Sequence, residues 1–144
     1  LMKSLSNCLN IDPRFLQLTV MKQRFDQATY AVGQIISYAP VGVSKYLDCF
    51  DYMLKGMRNA IRYGWRIHHG IGKFACNSLL CMAKSEDVDD DVRKMVLDLL
   101  LDELSIWLMD DRELGVRSLS LSLSLAQSIN HTHTRTYSET RTWP

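Results

Sequence analysis

A chain of 144 residues with a formal net charge of +1 is long enough for one compact domain that buries about two-thirds of its unfolded surface, and too short for two. Apolar content is ordinary. Leu, Met, Ala and Lys outnumber the strand formers through position 115, which excludes a sheet there and points to an all-α chain. No run reaches about 18 consecutive apolar residues, so no bilayer-spanning helix is expected.

The small net charge conceals a segregation. Residues 1–84 carry eleven Lys or Arg against four Asp, a surplus of +7; residues 85–114 carry eleven acids against Arg93, Lys94 and Arg112, a deficit of −8. Such asymmetry serves an anionic partner, or is satisfied internally when the acidic helix docks near the basic one.

The first start signal is Asp12-Pro13, with the carboxylate as cap and proline suited to the first helical position. Phe15, Leu18, Met21, Phe25, Ala28, Val32, Ile35 and Ile36 then recur at helical spacing, predicting a helix over about 13–38 that stops before Pro40 and Gly42. Ser44 offers the next cap, for a helix over about 44–69. Gly56, Gly64, Gly70 and Gly72 each cost about 1 kcal/mol against Ala in a helix interior. They place a bend or break around His69 to Gly72, followed by a shorter helix over about 73–83.

Ser85 to Asp91 is a charged connection that loads acids onto the start of a helix over about 89–114, where they favour the positive end of its dipole. Val92, Met95, Val96, Leu99, Leu100, Ile106 and Trp107 give that helix its stripe, and Gly115 terminates it. The expected architecture is a small bundle of three to four helices within residues 1–115. Residues 116–144 form a low-complexity Ser/Leu-rich tail, disordered or only locally structured, because the alternation Ser118 to Leu125 finds no strand partner.

The strongest functional signal lies on the second helix. Lys55, Arg58, Arg62, Arg66, His69 and Lys73 fall within an arc of roughly 80° at about 100° per residue. Leu54, Met57, Ala60, Ile61, Ile67, His68, Ile71 and Ala75 take the other side. A basic amphipathic helix of this kind lays an apolar face into a bilayer boundary and holds anionic headgroups with its cations. It equally packs one face on a protein core.

Other chemistry is missing from the sequence. There is no Gly-rich phosphate loop, G-x-S-x-G elbow, H-E-x-x-H helix or paired zinc-ligand set, so neither an enzyme, a metal site nor a cofactor is expected. Cys8, Cys49, Cys76 and Cys81 lack C-x-x-C spacing and read as reduced, buried thiols of an intracellular protein. Tyr63 and Trp65 sit at the edge of the cationic stripe rather than forming a stacking platform, which argues against nucleic acid.

Three stretches carry a family resemblance. Arg24-Phe25-Asp26-Gln27-Ala28-Thr29-Tyr30 and Ile35-Ile36-Ser37-Tyr38 are similar to the opening segment of the peroxin-11 family. Gly56 to Gly64 resembles its "S-x-x-R-K-x-x-R-L-G-K", with the arginine spacing and following glycine matched, and Leu104 to Gly115 resembles its "D-x-x-x-W-L-x-R-x-G-L" ending. Trp65 and the Ser/Leu tail depart from the family, which continues into an apolar membrane-anchoring region, so a truncated or alternatively spliced member is implied.

The resemblance implies a peripheral protein on the cytosolic face of the peroxisomal membrane that curves the leaflet and promotes peroxisome elongation and proliferation. Lys55, Arg58, Arg62, Arg66, His69 and Lys73 would bind headgroups of an anionic phospholipid membrane, and Leu54, Met57, Ile61, Trp65 and Ile71 would insert. A homo-oligomer and contacts with fission-machinery proteins would follow. The alternative reading is a soluble, cytoplasmic, all-helical protein-interaction module in which the same apolar face is buried in its own core and the basic and acidic helices satisfy one another.

Overall fold

A computed structural model describes residues 1–109, and these are all-helical, with no strand among them. Six α-helices are present where three to four were expected: α1 (Met2–Leu9), α2 (Thr19–Tyr38), α3 (Pro40–Tyr46), α4 (Phe50–Tyr63), α5 (His69–Lys84) and α6 (Asp90–Met109). Two 3-10 turns, Pro13–Gln17 and Gly64–Arg66, complete the set. The expected Ser/Leu tail and the Gly115 stop lie outside the described residues.

The differences in helix count have local causes. The first eleven residues offer too short an apolar pattern to be read as a helix, and α1 is held instead by tertiary contacts. Leu9 is fully buried. Asn10 donates from Nδ2 to the carbonyls of Ser6 (2.9 Å) and Tyr52 (3.0 Å), and Asn59 Nδ2 donates to Leu9 O (3.2 Å), tying the end of α1 to α4. Gly56 permits this approach, since a Cβ there would lie 2.9 Å from Leu9 Cβ.

Asp12 does act as a cap, accepting from Arg14 N at 3.0 Å, but of a single 3-10 turn that ends at Gln17. Leu18 in extended geometry then separates it from α2. Pro40 ends α2 as expected and also opens α3 as its first residue, where the missing N–H costs nothing. Ser44 is therefore inside α3, its Oγ donating to Val41 O (2.9 Å) rather than capping a helix. The break expected at His69 to Gly72 falls earlier, at Gly64 to His68, and α5 begins at His69.

The helix α5 is the centre of the bundle, flanked by α2, α4 and α6, while α1 packs across α2 and α4. Asp26 lies beside His68, Tyr30 stacks on Phe74 at 5.4 Å, and Gly33 lies beneath Phe74 and Ser78, so α2 and α5 run in the same direction. A side chain at Gly33 would overlap the Phe74 ring, and its absence sets the closeness of the two helices. Phe25, Val32 and Ile36 of α2, Met53, Met57 and Ile61 of α4, Leu79 and Met82 of α5 and Leu100 of α6 form the core.

At the α5–α6 turn, Arg93 is 5% exposed. It donates from Nε to Ala83 O (2.9 Å) and from Nη2 to Ser85 O (2.8 Å) and Val88 O (3.3 Å), and pairs through Nη1 with Asp90 (2.6 Å). A cation thus meets the open carbonyls at the negative end of α5, doing the work of a C-cap.

Candidate functional site

The basic helix resolves into two helices joined by a corner. Lys55, Arg58 and Arg62 belong to α4, Arg66 to the 3-10 turn, and His69 and Lys73 to α5, so the expected stripe is not one continuous face. The chain passes from right-handed helical geometry at Gly64 to extended geometry at His68, which turns it into α5, and Gly64 is buried against Ile71, whose Cγ2 would lie 2.5 Å from an added Cβ, so the corner closes tightly.

The expected inserting face is core. Met57 and Ile61 are 0% exposed, Ile71 is 2% and Leu54 4%. These side chains pack within the one apolar cluster shared by α1, α2, α4, α5 and α6, and in this closed arrangement none of the four reaches a bilayer. A helical wheel does not separate a core-facing from a lipid-facing stripe, since the two look alike on it. Trp65 alone of the five remains half-buried, at the corner.

The cations divide similarly. Arg62 grips Glu103 of α6 through two hydrogen bonds, Nη2 to Oε1 at 2.7 Å and Nε to Oε2 at 3.1 Å. Glu103 is fully buried, whereas the arginine side chain is 39% exposed. The charge-assisted bond to Glu103 holds the Arg62 guanidinium above its ordinary range, against the smaller opposing effect of burial. Arg58 flanks the pair, its Nε 3.4 Å from Glu103 Oε1 and its Nη2 3.9 Å from Asp102 Oδ2. The Nε contact is an ion pair without hydrogen-bond alignment, and that buried nitrogen has no hydrogen-bond partner.

Lys55, Arg66 and Lys73 are exposed. The Arg66 guanidinium lies over the Tyr63 ring at 5.2 Å and the Trp65 ring at 5.9 Å, a cation–π arrangement on the outer side of the corner.

Sequence reasoning missed Glu103 and Arg93, and one signal was available for both. Each is a charge at helical spacing from buried apolar residues, Glu103 four after Leu99 and Arg93 three before Val96. A charge on the apolar side of a helix must find a partner.

The cysteines differ from expectation in part. Cys76 is buried, and desolvation, with a smaller contribution from the Glu103 charge, pushes its thiol up to about 12, which makes it unreactive. Cys8 and Cys49 are half-buried and Cys81 is exposed. Among the described residues no group of three or more His, Cys, Asp or Glu is placed to hold a metal ion, and no helix is long and apolar enough to cross a membrane.

The arrangement is a helical bundle in which two cations of α4, Arg58 and Arg62, meet a buried acid of α6. No family model, curated protein or solved structure matches this chain.

Proposed function

We propose that this chain is an all-helical protein-interaction module, acting without catalysis, whose basic and acidic helices satisfy one another. The observation that carries this reading is the enclosure of Met57 and Ile61 together with the burial of Glu103 against Arg62 and Arg58. The apolar half of α4, and two of its three expected headgroup cations, Arg58 and Arg62, already have occupants within the chain. The surface left for a partner includes the outer face of α2, where Val20, Gln23, Gln27, Tyr30, Gln34 and Tyr38 are exposed. It carries two tyrosines and, one turn on from Val20, the exposed Arg24, residue types enriched in protein–protein interfaces.

A second reading, peripheral attachment to the peroxisomal membrane as the peroxin-11 resemblance implies, is favoured by Lys55, Arg66 and Lys73, which stay exposed, Arg66 lying over the Trp65 ring. Three such cations near anionic lipid contribute about 1 kcal/mol each. A total of about 3 kcal/mol corresponds to a Kd weaker than millimolar. Without the apolar residues of α4 as a wedge, lipid contact is therefore marginal, and the first reading is preferred.

Flotation of the full chain with anionic vesicles at low and high ionic strength separates the two. The interaction module stays in the soluble fraction under both conditions. Flotation that survives high salt would require insertion of the α4 face and would overturn the proposal.

A further inference from the structure

The last helix is apolar over more of its circumference than it buries. At about 100° per residue, the apolar positions of α6 run from Met95 round through Leu99, Val96 and Leu104 to Leu101 and cover roughly 240°. The buried part, Leu99 to Leu97, spans only roughly 160°, with Met95, Ile106 and Leu101 left exposed at its edges. Turning the helix by about 40° one way would take in Met95 and Ile106 in place of Leu104 and Leu97. Turning it the other way would take in Leu101 in place of Leu99 and Val92. Because transfer free energy follows apolar area, the first of these settings differs little from the observed one in hydrophobic stabilisation, whereas the second loses one more apolar side chain than it gains.

Two charges interrupt the apolar arc, and each is held by a different neighbour. Glu103 is bound by Arg62 and flanked by Arg58 on α4; Arg93 is bound by the Ala83 and Ser85 carbonyls at the end of α5. They lie ten residues apart, about 15 Å along the axis. With side-chain heads about 6 Å from that axis, a 40° turn displaces each by roughly 4 Å, enough to break every one of these bonds. Glu103 would then be a buried carboxylate without a partner, a strongly unfavourable state.

The geometry points to a conformational lock: Glu103 on Arg62, reinforced by Arg93 on the α5 carbonyls, selects the observed rotational setting of α6 over the neighbouring one, with Met95 and Ile106 turned in, that apolar burial leaves nearly equal. The selected setting turns Asp91, Asp98 and Asp102 outward and keeps Glu103 on α4. This inference concerns how the surface is fixed and stands apart from the function proposed above.

The test compares Glu103→Gln with Glu103→Met in the full, isotopically labelled chain. Glutamine still accepts from Arg62, so a single set of α6 amide resonances and parental binding of an apolar dye are expected. Methionine has similar length and no matching acceptor. The bundle is expected to remain helical, with α6 resonances doubled or broadened and dye fluorescence raised at least threefold. One sharp set of resonances in the methionine variant, identical behaviour of the two variants, or unfolding of the methionine variant would each overturn the lock, since a lock decides which arrangement forms and not whether the bundle forms.

Discussion

Truncation of Ile61 to alanine distinguishes a core role from a lipid-facing one. Ile61 is 0% exposed in the middle of α4 and belongs to the main apolar cluster. The substitution removes three carbons, about 2.4 kcal/mol at about 0.8 kcal/mol per buried methylene. Incomplete collapse of neighbours such as Met57 adds a cavity contribution, giving a total of about 3–4 kcal/mol, within the range of buried Ile→Ala changes. The natural comparison is Val20→Ala on α2, where the side chain is 57% exposed. That change should stay within about 0.5 kcal/mol, as surface substitutions do. Urea denaturation followed by far-ultraviolet circular dichroism gives both values, provided the slope m is unchanged between variants. A loss below about 1 kcal/mol for Ile61→Ala, indistinguishable from Val20→Ala, would refute the assignment of this face to the core.

Arg93→Ala should lower stability by about 3 kcal/mol, because it leaves the carbonyls of Ala83, Ser85 and Val88 without their buried donor, with urea midpoints as the readout. A change within experimental scatter would contradict the role given to Arg93 at the α5–α6 turn. Cys76 supplies a pH dependence. Its folded value lies at about 12 against an ordinary 9.0, so between these limits only the unfolded chain forms the thiolate. The contribution to stability is complete below about pH 9 and is lost as pH rises through the window. Relative to Cys76→Ala, the parent should lose about 1 kcal/mol more on going to pH 10. Parallel pH profiles for the two proteins would exclude that burial.

How much of this was legible in the sequence follows from what each residue asks of its surroundings. The all-α class, the break at Pro40, the Asp12 cap and the helical stretch around Leu99 and Leu100 depend on local periodicity and capping, and could be read directly. The helix α1 could not, because eight residues form a helix here only through Asn10 and Asn59 bonding across to other elements. The corner at Gly64 could not be separated from the candidate breaks at Gly70 and Gly72, because it depends on Ile71 packing against that glycine. At the site, amphipathicity identified the apolar and basic sides of α4 correctly but not their occupants. The same wheel describes a helix meeting lipid and a helix meeting Leu9 and Glu103, because it carries the side chains of one helix and none of its neighbours.

The most direct test of the closed bundle is amide hydrogen exchange across Met53 to Ile61, measured with and without anionic vesicles. The account expects this segment of α4 to exchange only through global unfolding, at a rate that vesicles leave unchanged. Faster exchange of the segment upon adding vesicles, with the rest of the chain still protected, would show the α4 face opening to lipid and would contradict the account.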